Sequence, residues 1–247
     1  LTPSPVDCIS VHFAFDSTQF APAFLPFALH SLSFATATFL NAFDSLKELT
    51  ILGSIFGGRF DINEVSGFRG FSCLEYLKLE RVSGSAEGFA LPKSLKKLAI
   101  SKWPEFDDAS LLAACESACG SIQEIRLGFL NVSDVFPLTL CPNLQKVVLY
   151  NCSELKQVSP LKDCVALKNL VVDSCGPYWA GYADGRLEFD QDFIKLATSR
   201  SLECITTYGC GDYSIIEERN PRIKVEKKFG VYLNKYAIDI YLNTPDT

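Results

Sequence analysis

Cysteine is the residue best placed to do chemistry in this sequence, and its spacing is ordered. Ten cysteines occur in 247 residues. The stretch Cys141–Cys152, CPNLQKVVLYNC, is echoed 23 residues later by Cys164–Cys175, CVALKNLVVDSC. Thiols repeated in this way can close disulfides, ligate zinc as thiolates, or fill small buried sites. Cys115 and Cys119 lie one helical turn apart, the spacing of half a zinc site, with Cys8 and His12 as further ligand types. The chain has no Cys-x-x-Cys pair and only two histidines, so a zinc set is short of ligands.

Other chemistry finds no foothold. A nucleophile elbow, a phosphate loop ending in Gly-Lys-Ser/Thr and a His-Glu-x-x-His helix are all absent. The glycines of GSIFGG, Gly53 to Gly58, have no following lysine and read as a loop. His12 and His30 fall in a Phe-rich N-terminal region, where a partly buried imidazole is expected rather than a catalytic base. Carboxylates are plentiful but scattered. The sequence therefore implies a non-enzymatic chain without a cofactor. Its net charge of −6 argues against a nucleic-acid binder, which needs a basic field facing the phosphates. The basic residues Arg219, Arg222, Lys224, Lys227 and Lys228 alternate with acids and read as a solvated face. The longest uncharged run, Ser17 to Phe43, carries Pro22, Pro26, Gln19 and His30, so no membrane span is expected. No Met occurs, even at position 1, as in a processed chain or a fragment.

The elements that must position the cysteines follow from a recurring apolar triplet. Its members are Leu29/Leu32/Phe34, Leu46/Leu49/Ile51, Leu74/Leu77/Leu79, Leu95/Leu98/Ile100, Ile122/Ile125/Leu127, Leu144/Val147/Leu149 and Leu167/Leu170/Val172, then a weaker Leu202/Ile205/Thr207. Steps between first positions are 17, 28, 21, 27, 22, 23 and 35 residues. The last two members are two residues apart, so in an extended chain both point to one face. One rung alone buries too little, and neighbouring rungs must stack into a parallel sheet over a shared apolar interior. The opposite wall is helical in at least two repeats. DDASLLAACESAC places Leu111, Leu112, Cys115 and Cys119 at helical spacing after Asp107 or Asp108. DQDFIKLATS places Phe193, Ile194 and Leu196 after Asp190 or Asp192.

With this spacing the chain resembles the leucine-rich-repeat superfamily, from about Leu29 to Val225. Within it, the longer helical repeats and the cysteines look most like the ribonuclease-inhibitor-like and cysteine-containing repeats of F-box proteins, although no F-box module precedes the first rung. The resemblance implies an α/β solenoid, with a curved parallel sheet on the concave side and helices and irregular turns on the convex side. Cys152, Cys175 and Cys210 sit eight residues after a first apolar position, where the family carries Asn or Cys. Cys119, Cys141 and Cys164 form a second register, three residues before one. Both registers suit small groups buried along the repeat. The expected organisation is a single domain over 1–247: a Phe-rich cap and first repeat at 1–45, central repeats at 46–210, and a C-terminal cap at 211–247.

In that register, three columns of strand residues face outward on the concave side. One runs through Ser33, Thr50, Lys78, Ala99, Arg126, Val148, Val171 and Thr206. A second holds Leu52, Glu80, Ser101, Gly128, Tyr150, Asp173 and Tyr208, and a third Glu48, Tyr76, Lys97, Glu124, Lys146 and Asn169. Such a mixed, Tyr- and Arg-bearing surface suits a protein partner, with the simple alternative that these are solvated strand residues. No single sign of charge dominates the columns, so neither an acidic nor a basic ligand is indicated. The 35-residue step carries an insertion, CGPYWAGYADGR, whose Tyr178, Trp179 and Tyr182 are either anchors for a partner or a self-packed loop. The chain is thus expected to be an interaction or scaffold module, or a subunit of a larger assembly. The substrate-recognition part of a ubiquitin-ligase adaptor is one alternative. Cysteines concentrated in mid-chain point to an intracellular, reducing compartment. The Asn-x-Ser sites at Asn131 and Asn151 keep an extracellular surface protein open as another.

Overall fold

The computed structural model describes residues 8–12, 46–53, 60–62, 68–176 and 185–228. Each apolar triplet from Leu46 onward ends in a five-residue strand: β2 (Glu48–Leu52), β4 (Tyr76–Glu80), β6 (Lys97–Ser101), β7 (Glu124–Gly128), β8 (Lys146–Tyr150), β9 (Asn169–Asp173) and β10 (Cys204–Tyr208). Two further strands, β1 (Cys8–His12) and β11 (Lys224–Lys228), complete a nine-stranded sheet in the order β1-β2-β4-β6-β7-β8-β9-β10-β11. Every pairing in it is parallel and in register. Two short strands, β3 (Phe60–Asp61) and β5 (Val82–Ser83), pair separately. The chain is a leucine-rich-repeat solenoid.

Register fixes which side chains share a face. Leu49, Leu77, Leu98, Ile125, Val147, Leu170 and Ile205 stand opposite one another, as do Ile51, Leu79, Ile100, Leu127, Leu149, Val172 and Thr207. All of them are buried. Fully burying one such side chain stabilises the fold by about 1.5–3 kcal/mol, so stacked rungs hold one another in register. Just before each strand a single carbonyl accepts two amides of the next repeat. Lys96 O, for example, takes Gln123 N at 2.8 Å and Glu124 N at 3.0 Å.

Immediately after each strand of the nine-stranded sheet from β4 to β10, the next residue enters left-handed backbone conformation: Arg81, Lys102, Phe129, Asn151, Ser174 and Gly209, with φ from 48° to 60°. Glycine and asparagine adopt it cheaply; for the others it costs about 1–2 kcal/mol each. The compensation is visible in the ladder. Each non-glycine residue of this column donates its N–H to the last carbonyl of the next strand, as in Arg81 N to Ser101 O (3.1 Å) and Phe129 N to Tyr150 O (3.1 Å).

The convex layer follows repeat length. The 27-residue step holds a full helix, α1 (Asp108–Ala118), whose first turn is capped by the Asp107 carboxylate accepting from Ser110 N at 3.0 Å. Steps of 22 and 23 residues leave room for only one 3-10 turn each, Phe136–Leu140 and Ser159–Asp163, with a proline near the start of each. The longest step holds α2 (Arg186–Ile194), which tightens into a 3-10 turn over Lys195–Thr198. A short helix, α3 (Ser214–Arg219), precedes β11.

Three expectations are corrected, and a fourth falls outside the described residues. The rung Leu29/Leu32/Phe34 lies outside the described residues, and its expected place beside β2 is held by β1, with Ile9 opposite Leu49 and Val11 opposite Ile51. A strand has two edges, and the other edge of β2 is taken by β4. The segment after 211 contributes another rung, β11, with Val225 opposite Ile205. On α1 the buried stripe is Leu111, Ala114, Cys115 and Ala118, while Leu112 turns outward and Cys119 is half-buried. Finally, α2 starts at Gly185, not at Asp190 or Asp192, and buries Phe189 and Phe193 rather than Ile194.

Candidate interaction face

The three outward columns lie on one side of the sheet in the expected register, which places Tyr76, Lys78, Glu80, Lys97, Arg126, Lys146, Tyr150, Asp173 and Tyr208 together. They are not uniformly exposed, as had been expected. Lys97 is open, Tyr76, Arg126, Lys146 and Tyr208 are half-covered, and Lys78, Glu80, Tyr150 and Asp173 are buried. The side chains lie down on the sheet and cover one another. Trp179 and Tyr182, with Tyr178, lie outside the described residues.

Two carboxylates organise the charges. Glu80 receives Arg81 Nη2 at 2.9 Å, Lys102 Nζ at 3.0 Å and Lys78 Nζ at 3.7 Å. Glu124 receives Arg126 Nε at 2.6 Å, Lys146 Nζ at 3.5 Å and Lys97 Nζ at 3.8 Å. Each acid therefore meets cations of its own strand segment, Lys78 and Arg81 at Glu80 and Arg126 at Glu124, together with cations from neighbouring repeats, Lys102 at Glu80 and Lys97 and Lys146 at Glu124.

Between the charge centres lies an apolar island. Ala99, Val148 and Tyr150 form its buried middle, with Tyr76, Phe129 and Val171 packed at its margin. The Tyr150 ring lies across Gly128 of the adjacent strand, where an added Cβ would come within 1.9 Å of the ring. Gly128 thus makes the bed for Tyr150. Phe129 meets that ring edge-on at 5.8 Å between centroids and carries Lys102 over its own face at 5.7 Å. Burial pushes the Tyr150 hydroxyl well above its ordinary range, and neither it nor the nearby Ser101 hydroxyl has a partner of hydrogen-bonding geometry. Burial likewise raises Tyr76, opposed by Arg126 and reinforced by Glu124 and Glu48. Asp173, at the far side, is raised by burial in spite of a bond from Ser174.

Sequence reasoning missed Arg81, Lys102 and Phe129. Their signal was their place one residue beyond each strand, where left-handed backbone returns the side chain to the concave rim.

Cys115, Cys141, Cys152, Cys164 and Cys175 line the interior, with Cys119 and Cys210 packed against it. Cys141, Cys152, Cys164 and Cys175 are buried, Cys119 and Cys210 half-buried, and all nine described cysteines are free thiols. Cys152, Cys175 and Cys210 point their S–H groups at strand carbonyls, the last two at 3.3 Å from Asp173 O and 3.2 Å from Tyr208 O. These are weak bonds that occupy carbonyls where the chain leaves the ladder. Burial pushes the Cys164 thiol up to about 12 and that of Cys210 to about 11, so neither is nucleophilic near neutrality. The neighbouring Cys141 thiol, together with burial, raises Cys115 far above its ordinary range. Cys8 and His12, weighed above as zinc partners for Cys115 and Cys119, sit on β1 at the edge of the sheet, beyond β2 and β4 from the strand that leads into α1. Among the described residues no group of three or more metal-ligating side chains occurs, and no helix is long and apolar enough to cross a membrane.

No family model matches the chain, and no curated protein does. Among solved structures, an internalin from Listeria monocytogenes is similar, at 20% identity and a TM-score of 0.49. The likeness covers 75% of this chain and 56% of the internalin's length.

Proposed function

We propose that the chain is a non-catalytic protein-interaction module, a single repeat unit that offers its concave sheet to a partner, alone or as a subunit of an assembly. The observation that supports this most is the organisation of the outward columns. Two buried carboxylates, six cations and an apolar island are fixed on a rigid sheet, whereas merely solvated strand residues need no such order. Interaction surfaces combine apolar centres with charged surroundings in this way. Trp179 and Tyr182, outside the described residues, are proposed as further anchors for the partner.

Photo-crosslinking in the intact natural protein tests the proposal. A photoreactive residue at Lys97, on the concave face, should capture a partner in cells. One at Phe136, exposed on the convex side, should not. Capture at Phe136 alone would overturn it.

The buried Cys152 and Cys175 support a finer assignment to the cysteine-containing repeats seen in F-box proteins, and with it a substrate-receptor role. That role requires a ligase-binding module in the same protein. Nine free thiols support a reducing, intracellular setting. A glycan on Asn131 or Asn151 would reverse that assignment in favour of an extracellular one. The Asn131 side-chain amide already donates to Pro104 O at 2.7 Å.

A further inference from the structure

Away from the concave face, three segments of chain enclose a cleft of about 590 Å³: the 3-10 turn Phe68–Gly70 with Ser72, the residues that lead into β6, and the C-terminal half of α1. Two serines pin its walls. Ser94 Oγ donates to Leu74 O at 2.7 Å and to Phe71 O at 3.3 Å. Ser117 Oγ donates to Ala114 O at 2.8 Å and accepts Leu91 N at 2.8 Å. These bonds tie the segments together, so the cleft is shaped before a ligand arrives. Arg69, Lys93 and Glu116 are exposed along it. Among the described residues, their side chains make no ion pair and no hydrogen bond. The concave face differs, because there Glu80 and Glu124 gather the cations around them.

We propose that this cleft binds a small phosphomonoester that carries an amine, its phosphoryl group held by Arg69 and Lys93 and its amine by Glu116. Charge selects the ligand. A phosphomonoester carries about −1.5 to −2 at neutral pH, which two cations match, whereas a carboxylate would satisfy only one of them. The Arg69 guanidinium can bind two phosphoryl oxygens as a fork, and the Lys93 ammonium adds a point charge. Ser72 supplies a hydroxyl, since its only bond is a long contact of 3.9 Å with Cys73 Sγ. Glu116 repels a bare anion, so the same ligand must bring a positive group to offset it. The volume lies within the range of small-molecule sites, about 300–1,000 Å³. A phosphodiester, as in nucleic acid or a phospholipid, has one charge per phosphate and matches the two cations less well. The site is independent of what the concave face binds.

The test is a phosphorus NMR titration of the full-length protein with three probes: phosphoethanolamine, inorganic phosphate and the diester glycerophosphoethanolamine. Phosphoethanolamine should bind with a Kd of about 1 mM or tighter, and the diester at least about fivefold more weakly. The variant Arg69→Gln/Lys93→Gln should weaken phosphoethanolamine by at least about tenfold. Both side chains are exposed, so the fold should survive, and circular dichroism checks it. Glu116→Gln should weaken phosphoethanolamine by about threefold while leaving inorganic phosphate unchanged or tighter, a split that a merely structural role does not produce. No binding of phosphoethanolamine at about 10 mM, or binding that ignores Arg69→Gln/Lys93→Gln, would overturn the site. Inorganic phosphate binding more tightly than phosphoethanolamine would overturn the amine, and a diester of equal affinity would overturn the matched dianion. None of these outcomes touches the reading of the concave face, which photo-crosslinking at Lys97 tests separately.

Discussion

The two faces of the sheet bury side chains to a similar depth by opposite means. Behind the sheet, Leu98, Ile125, Val147 and Leu170 form one apolar interior with the convex layer. In front of it, Glu80, Lys78, Ser101 and Glu124 are also buried. Long charged side chains lie flat and cover their own strands, using their stems as apolar material. The comparison teaches that low exposure on this sheet does not mean core. The interior sets stability, whereas the front face holds its order through ion pairs and one tyrosine, and so can change composition without unfolding the solenoid.

Substitutions sharpen that contrast, beginning with the largest effect. Ile125→Ala empties a site in the continuous interior and should cost about 2–5 kcal/mol in urea unfolding. A loss below 1 kcal/mol would mean that the interior is not continuous there. Asp192→Ala should cost about 1–3 kcal/mol, because the Asp192 carboxylate accepts from the buried Val158 N at 2.7 Å and from Ser159 N at 2.8 Å. Burial raises this acid, but the bonds from Ser159, Val158 and Lys195 outweigh it and hold it below its ordinary value. Its stabilisation is thus present above about pH 4 and is lost as pH falls through the lowered native value. Acid unfolding of Asp192→Ala should accordingly be shallower than that of the parent.

On the front face, Gly128→Ala should cost about 1–3 kcal/mol by lifting Tyr150 off its bed, and the added cost should shrink when Tyr150→Ala is already present. A double-mutant cycle reads that coupling. Tyr150→Phe removes a buried hydroxyl with no partner and should be neutral or stabilising by up to about 1 kcal/mol. Smallest in energy is the thiol pattern. Among the nine described cysteines only Cys73 is exposed, so it should label first in the native protein, with the buried set reacting only on unfolding.

Much of the frame was readable before any coordinates, because a triplet of large aliphatics with a two-residue alternation leaves one orientation for a strand. The outward columns follow from the same alternation. What escaped had physical reasons. The spacing Val6/Ile9/Val11 satisfies the triplet as well as Leu29/Leu32/Phe34 does, and only strand pairing chooses between them. Val225 lacks a leucine three residues earlier, so β11 stayed hidden among charges. Glu80 and Glu124 look like surface acids in a sequence; that Lys102 reaches Glu80, and Lys97 and Lys146 reach Glu124, is a product of stacking. The Asp192 carboxylate reads as a helix start, yet it closes a turn in the preceding repeat, a contact 34 residues away in the chain.

Neighbouring residues on one strand test the central claim most directly. Val147 faces the interior and Val148 faces the concave side, opposite Arg126. Val147→Asp should cost at least about 3 kcal/mol, since it buries an unpaired charge. Val148→Asp also buries a carboxylate, but one opposite the Arg126 guanidinium of the adjacent strand, and should cost at least about 1 kcal/mol less. Equal losses at the two positions in urea unfolding would contradict a sheet with one apolar and one ionic face.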